Sequence, residues 1–514
     1  MPLRWSPDRR QCLAATSALA LWPGFVHAQG VRPLKVVASW EVSSLDPVKN
    51  GHIFTRLEVA ETLVEVTDAG DLSAGLATRW QASANGLEWR FALRPKAQFH
   101  DGTPVTADAV VACLQRTLAQ PGMLRNAGVQ NIQAQGGEVV FKLAKPFASL
   151  PAVLTHSSTQ VLAPSSYAAD GSVKAVVGSG PYRVESVQAP QSVRTRRFEG
   201  FDGPKPRIEA VEYLSASRAE TRGMLASSGQ ADLVFVHDPV SFARLRQNPK
   251  LRLLMQPLPR TVYLKVNAGH RFLADVRVRR ALSLALDRAG MAKALMHAPE
   301  AAATQLFAPI QTEWHVPTLQ PLEHNPTQAS QLLREAGWQP GADGVLRNAQ
   351  GQPFKVTLRT YNDRPELPPM ATAIQAQFKA VGIDMAVSVG NSSEIPSGHQ
   401  DGTLELALVA RNHGQVPDPL GTLLQDFGPQ GGDWGAMGWQ SPHLVQTLAQ
   451  LSESPDPKRR SALRGSVATV LQAELPVIPV AWYQHSVTAS KRLGNVSVDP
   501  LERSYRISRM GWAA

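Results

Sequence analysis

The run Leu34-Lys35-Val36-Val37-Ala38, apolar but for Lys35, reads as a first strand. Trp89-Arg90-Phe91-Ala92-Leu93-Arg94 alternates as a strand does, and Asp101-Gly102-Thr103-Pro104 then supplies turn chemistry. Thr106 or Asp108 caps a helix that runs through Val110, Val111, Leu114 and Leu118. Helical spacing also marks Leu57 to Val66, ahead of a turn at Asp68-Ala69-Gly70, and Val276 to Met296, beginning near Asp275. Asn325-Pro326 opens another helix through Ala329, Leu332, Leu333 and Ala336, with Gly337 as its left-handed stop. Strands are predicted at Phe354–Tyr361, Ile383–Val389 and Leu404–Val409, with a helix over Leu367–Val381 between the first two. The chain is mixed α/β from end to end, without a short repeat.

The start of the chain follows a different rule. Arg9-Arg10 precedes an apolar run from Leu13 to Leu21, and Val26-His27-Ala28 ends in small or apolar residues, as in an export signal of twin-arginine type cut after Ala28. The run is too short to span a bilayer. The remaining length suffices for two or three lobes with their own cores. Formal charge is +10 over 514 residues, yet the basic residues are scattered and no basic stripe interleaved with aromatics occurs, which argues against nucleic acid as a partner. Cys12 falls in the signal, so Cys113 is left alone and the fold must stand on burial rather than a disulfide. No Gly-x-Ser-x-Gly elbow, His-Glu-x-x-His helix or Cys/His cluster occurs, so no enzyme is expected and a periplasmic hydrolase is the weaker reading.

Several segments carry a family likeness. Leu76-Ala77-Thr78-Arg79-Trp80 through Val110, Val177-Gly178-Ser179-Gly180-Pro181-Tyr182, Gly229-Gln230-Ala231-Asp232-Leu233, Tyr263-Leu264-Lys265-Val266-Asn267, Val276 to Arg288 and Asn325-Pro326 to Trp338 occur in order. Together they resemble the extracytoplasmic solute-binding proteins of family 5, which serve peptide and nickel ABC importers. The resemblance implies a periplasmic binding protein of type II, α/β, with two lobes, a hinge-bound ligand cleft and an extra domain. Lobe I would comprise residues 29–72, 180–268 and 484–514, the extra domain 73–179, and lobe II 269–483. Tyr263–Asn267 and Val477–Trp482 would be the hinge crossings. Gly178 and Gly180 are read as positions free to take positive φ. A monomer is implied, exported to the periplasm, with no cofactor of its own; its partners are a small-molecule solute and the ABC permease subunits.

The resemblance also points to a cleft wall at Leu406–Trp439. Arg411 is expected to clamp an anionic group of the solute, with Asn412 and His413 beside it. Dipeptide-binding members place an acidic residue for the peptide's amino terminus where this chain has Gln415. Tyr361 and Arg364, in a stretch similar to the Arg-Pro-Glu-Leu-Pro of nickel and metallophore members, are further contacts. Trp434 is read as an apolar lid. Arg125 and His52 (with Phe54) complete the set. A short peptide or peptide-like solute is the first expectation and a nickel or other metal chelate the second, with any metal arriving inside its ligand.

Overall fold

The computed structural model describes residues 31–67, 70–362, 364–429 and 431–513. The expected export signal and its cleavage site lie outside them, as do Asp68 and Ala69 of the expected turn. From Pro33 onward the chain forms one continuous unit. Its backbone is a ten-stranded sheet: β1 (Leu34–Ala38), β2 (Tyr182–Gln188), β3 (Ser192–Arg197), β4 (Ala210–Ser215), β5 (Leu233–Phe235), β6 (Leu251–Val266), β7 (Lys355–Tyr361), β8 (Asp384–Gly390), β9 (Leu406–Asn412) and β10 (Val477–Ser490). Their spatial order is β8-β7-β9-β6-β10-β5-β1-β4-β3-β2. The joins β1–β4, β1–β5, β7–β8 and β7–β9 are parallel, and the others are antiparallel.

Two long strands, β6 and β10, carry the sheet from one half to the other. Leu251–Pro257 pairs with Gln484–Ser490, and Thr261–Lys265 pairs with Val477–Trp482. The ladder breaks between Pro257 and Thr261, where Pro257 and Pro259 have no N–H to donate. That break lies upstream of the expected crossing at Tyr263–Asn267, and a second register shift falls between Val262 and Tyr263, at the start of that crossing. The expected crossing at Val477–Trp482 is likewise only the first half of β10. Polar Gln484, His485, Ser486, Thr488 and Ser490 obscured the rest in the sequence, and all five are buried. The Ser486 hydroxyl accepts from His237 N at 2.8 Å, and the Thr488 hydroxyl bonds His237 Nε2 at 2.8 Å, so burial leaves these two hydroxyls satisfied.

The three largest hydrophobic cores among the described residues follow. One gathers residues from Leu258 to Tyr483, one surrounds β1, β4 and β5, and one lies within residues 63–163. The first begins at Leu258, inside the span read from sequence as lobe I. The third covers a four-stranded antiparallel sheet, with Ala77–Ala82, Glu88–Leu93, Glu138–Leu143 and Val129–Gln135 in that order. A helix at Ala107–Leu118 packs on it, capped by Thr106, whose hydroxyl accepts from Ala109 N. Cys113 is buried in that helix, as its position suggested.

Other expectations need correction. Val276–Met296 is two helices, Val276–Leu284 and Arg288–Leu295, because Asp287 leaves the helix and caps Gly290 N. Leu57–Val66 is not helical. The helical run lies at Pro47–Asn50 and His52–Arg56, Glu58 adopts φ +56°, and Val64–Val66 is a strand. Gly178 and Gly180 do not take positive φ. A Cβ on either would collide with the carbonyl oxygens of Val59 and Glu58, so they are glycines for close approach.

Candidate functional site

A cavity of about 790 Å³ opens beside the crossing strands. Its walls are the helical run Pro47–Arg56, the stretch 58–66, residues 155–157 and the C-terminal segment 499–509. Asn412 and Gln415, at and just past the end of β9, close it from the other half of the sheet. Gly51 is itself helical at φ −57°, ψ −26°, so the two short helices run on without a break. A Cβ there would sit 2.5 Å from the carbonyl oxygens of Pro47 and Ser157, which explains how the 155–157 segment reaches the wall.

Charge is dense and largely paired. The Glu502 carboxylate meets Arg260 of β6 at 2.6 Å with both side chains about 5 % exposed. Burial alone would raise its pKa, but Arg260, His485 and Arg56 hold it well below the usual range. Arg56 donates Nε to the Glu502 carbonyl at 2.8 Å and lies over the Trp40 ring at 3.7 Å. Burial, against the attraction of Arg94, pushes Glu61 up to about 7. Burial and Arg56 bring His52 down to about 3, so it is neutral.

Of the residues singled out from sequence, His52, Asn412 and Gln415 line this cavity. Arg411 does not. Its guanidinium is taken by Asp426 through Nε at 2.7 Å and Nη2 at 2.8 Å, a buried bidentate pair that keeps the arginine charged. His413 is buried against Phe307, its ring nitrogens have no partner, and burial lowers its pKa to about 3. Tyr361 Oη accepts from Ala410 N at 3.1 Å, and its ring meets Trp434 edge-on at 6.3 Å. The Trp434 loop is anchored from below: Tyr263 Oη donates to the Trp434 carbonyl at 2.7 Å, and Lys265 Nζ donates to the carbonyls of Gly432 and Gly435 at 2.8 and 2.6 Å. Burial lowers Lys265 to about 7 despite Asp426 and Asp433 nearby. Arg364 donates to Tyr483 Oη at 3.1 Å. Arg125 is exposed. These six belong to the packing of the sheet or the surface and do not line the cavity.

Sequence reading missed Lys49, Arg56 and the 499–509 segment. The spacing of Lys49, His52 and Arg56 is helical and was legible, but the helix was placed too far along the chain. Nothing local marks Glu502 as the partner of Arg260. Among the described residues, no group of three or more His, Cys, Asp or Glu side chains is placed to hold a metal ion, and no helix is long and apolar enough to cross a membrane.

A contact away from the cavity ties the third core to the first. Ser149 Oγ donates to Asp418 Oδ2 at 2.7 Å, Arg460 Nη2 donates to the same oxygen at 2.6 Å, and Ala148 N donates to Ser452 O at 3.1 Å. Phe147 packs against both cores. Asp418 lies three residues beyond cavity-lining Gln415, so latch and cavity share one loop.

Known proteins share this architecture. The nickel-binding periplasmic protein of Escherichia coli (strain K12) is 26 % identical over 516 residues, spanning 96 % of each chain. The dipeptide-binding protein of the same organism is 24 % identical, spanning 84 % of each. The crystal structure of NikA from Brucella suis in complex with Fe(III)-EDTA superposes with a TM-score of 0.82 at 24 % identity, covering 93 % of this chain and all of that one. AppA, an oligopeptide-binding protein from Bacillus subtilis solved with a nonapeptide, gives 0.78 at 18 % identity, covering 95 % of this chain and all of its own. At these identities the two structures speak to the fold. The model for bacterial extracellular solute-binding proteins, family 5 Middle, matches residues 71–434, and with six motifs in order and strands crossing between two halves beside a polar cavity, this chain belongs to that family.

Proposed function

We propose that this protein is the periplasmic substrate-binding component of an ABC importer, capturing a short peptide or peptide-like solute and presenting it to the permease subunits. The observation that carries the reading is the cavity beside the crossing strands, with walls drawn from both halves of the sheet. Its volume of about 790 Å³ suits a small organic solute. Bending at the Pro257–Thr261 break would open it, and closure would strip water from the solute and change the surface offered to the permease. The protein works without a cofactor and without chemistry on its solute, as a transport protein rather than an enzyme. A metal chelate is the second reading, supported by the nickel-binding relative that spans nearly the whole chain.

The test is native mass spectrometry with metal analysis on protein taken gently from its own periplasm. A co-purifying small solute released on unfolding is expected. Metal in stoichiometric amount would select the chelate. Hydrolysis of a bound peptide or ester by the purified protein would refute the transport reading.

A further inference from the structure

The four-stranded domain within residues 63–163 is fastened to the half of the molecule that carries β1. Arg94 Nε donates to Asp202 Oδ2 at 2.7 Å, His100 Nε2 donates to the Gly180 carbonyl at 3.0 Å, and the Gln160 amide reaches the Gly51 carbonyl. The same domain meets the other half, which carries β9, through Phe147, Ala148 and Ser149. Any movement of one half against the other therefore has to break or make that contact.

The contact is assembled in an unusual way. Ser149 stands at the N-cap of the helical turn Leu150–Val153, yet its hydroxyl makes no capping bond there. It donates instead to Asp418 Oδ2 at 2.7 Å, with Arg460 Nη2 at 3.4 Å on its other side. The receiving surface is complete without it. Asp418 Oδ1 accepts from Leu420 N at 3.2 Å and Oδ2 from Arg460 Nη2 at 2.6 Å, while Arg460 Nη1 donates to the carbonyls of Leu451 and Ser454 at 2.9 and 3.3 Å. Separation would hand the Ser149 hydroxyl and the Ala148 N–H to water and would orphan no charge, so it costs little. Parting the Arg260–Glu502 pair, by contrast, would leave two buried ions alone.

We infer that Phe147–Ser149 and the Asp418–Arg460 pair form a reversible clasp that holds the two halves closed when no solute is bound. Its use rests on the importer reading: with closure prepaid by the clasp, less of the solute's binding free energy goes into closing the protein. Gln415 on the cavity wall and Asp418 in the clasp lie three residues apart on one loop, so occupation of the cavity and closure of the clasp favour each other reciprocally.

The experiment takes the signal-free protein, shown to be empty by native mass spectrometry, through solution scattering and hydrogen exchange read at Ala148, whose N–H is bonded across the clasp to Ser452 O. The wild-type scattering curve is expected to match the closed structure, with the Ala148 amide protected. Ser149→Ala removes the hydroxyl and leaves the Asp418–Arg460 pair whole. It should speed exchange at Ala148 by about tenfold or more, the scale of a hydrogen bond to a charged group, and raise the radius of gyration. Amides of β1 and β9, each inside one half, should stay as slow as before. Ser149→Thr keeps a hydroxyl and should restore the protection, and Asp418→Asn should act in the same direction as Ser149→Ala from the opposite side of the clasp. A wild type whose curve fits an open form, Ala148 exchange unmoved by both Ser149→Ala and Asp418→Asn, or exchange quickened equally in β1 and β9 would each overturn the clasp. None of these readouts uses a solute, so the clasp can fail while the importer reading stands, and the reverse.

Discussion

Glu502→Gln removes one charge from the ion pair beside the hinge. The pair is 2.6 Å long, with Arg260 6 % and Glu502 5 % exposed. Its loss leaves the buried Arg260 without its ion-pair partner and removes the carboxylate felt by Arg56, Arg364 and His485. Breaking one side of such a pair costs about 3–5 kcal/mol, mostly the penalty of the orphaned cation. Replacing both residues, Arg260→Met with Glu502→Leu, leaves no orphan and should cost far less than the sum of the single changes. The backbone adds a second observation: Glu502 sits at φ +56°, which costs an L-residue about 1–2 kcal/mol, so the pair is held in spite of local strain. The assay is a double-mutant cycle by urea unfolding at pH 7, repeated at pH 4. Glu502 has a folded pKa below its ordinary 4.5, so its stabilisation is present above that value and lost as pH falls beneath it. The gap between wild type and the Gln variant should therefore narrow on acidification below about 4.5. Single changes costing under about 1 kcal/mol, or costs that simply add, would show a solvated pair and refute the argument.

Asp418→Asn should loosen the Ser149–Asp418–Arg460 latch by about 1–3 kcal/mol and shift the solute-free protein toward a more open form, read as a larger radius of gyration in solution scattering. Arg411→Ala should destabilise the fold by orphaning Asp426, while the surviving folded fraction keeps its solute affinity; a selective loss of affinity would restore Arg411 to the site. Burial holds His52, His237 and His413 near 3, and His100, His156 and His485 near 4, all beneath the ordinary 6.5. The unfolded chain therefore takes up their protons first. Stability is complete above about 6.5 and should fall steadily toward pH 4, seen as a decline in melting temperature that His413→Leu makes shallower.

Short-range order was legible in the chain. Asn325 before Pro326, Thr106 before an apolar stripe, and the apolar run from Leu34 each specify an element through groups a few residues apart, and the structure contains all three. Motif order along the chain also fixed the family. Legibility failed where one residue changed the path: Glu58 at positive φ ends the helical run, and Asp287 as a cap splits a periodic stretch in two. The cavity was decided by tertiary structure. Arg411 looked available until Asp426 folded back onto it, and Arg260 found Glu502 242 positions further along the chain. Periodicity tells which side of an element is buried; it does not tell which charge will meet which. That pairing depends on the sheet order that brings β6, β9 and the C-terminal segment together, and it determined which cations were consumed by the fold and which, Lys49 and Arg56, were left facing the cavity.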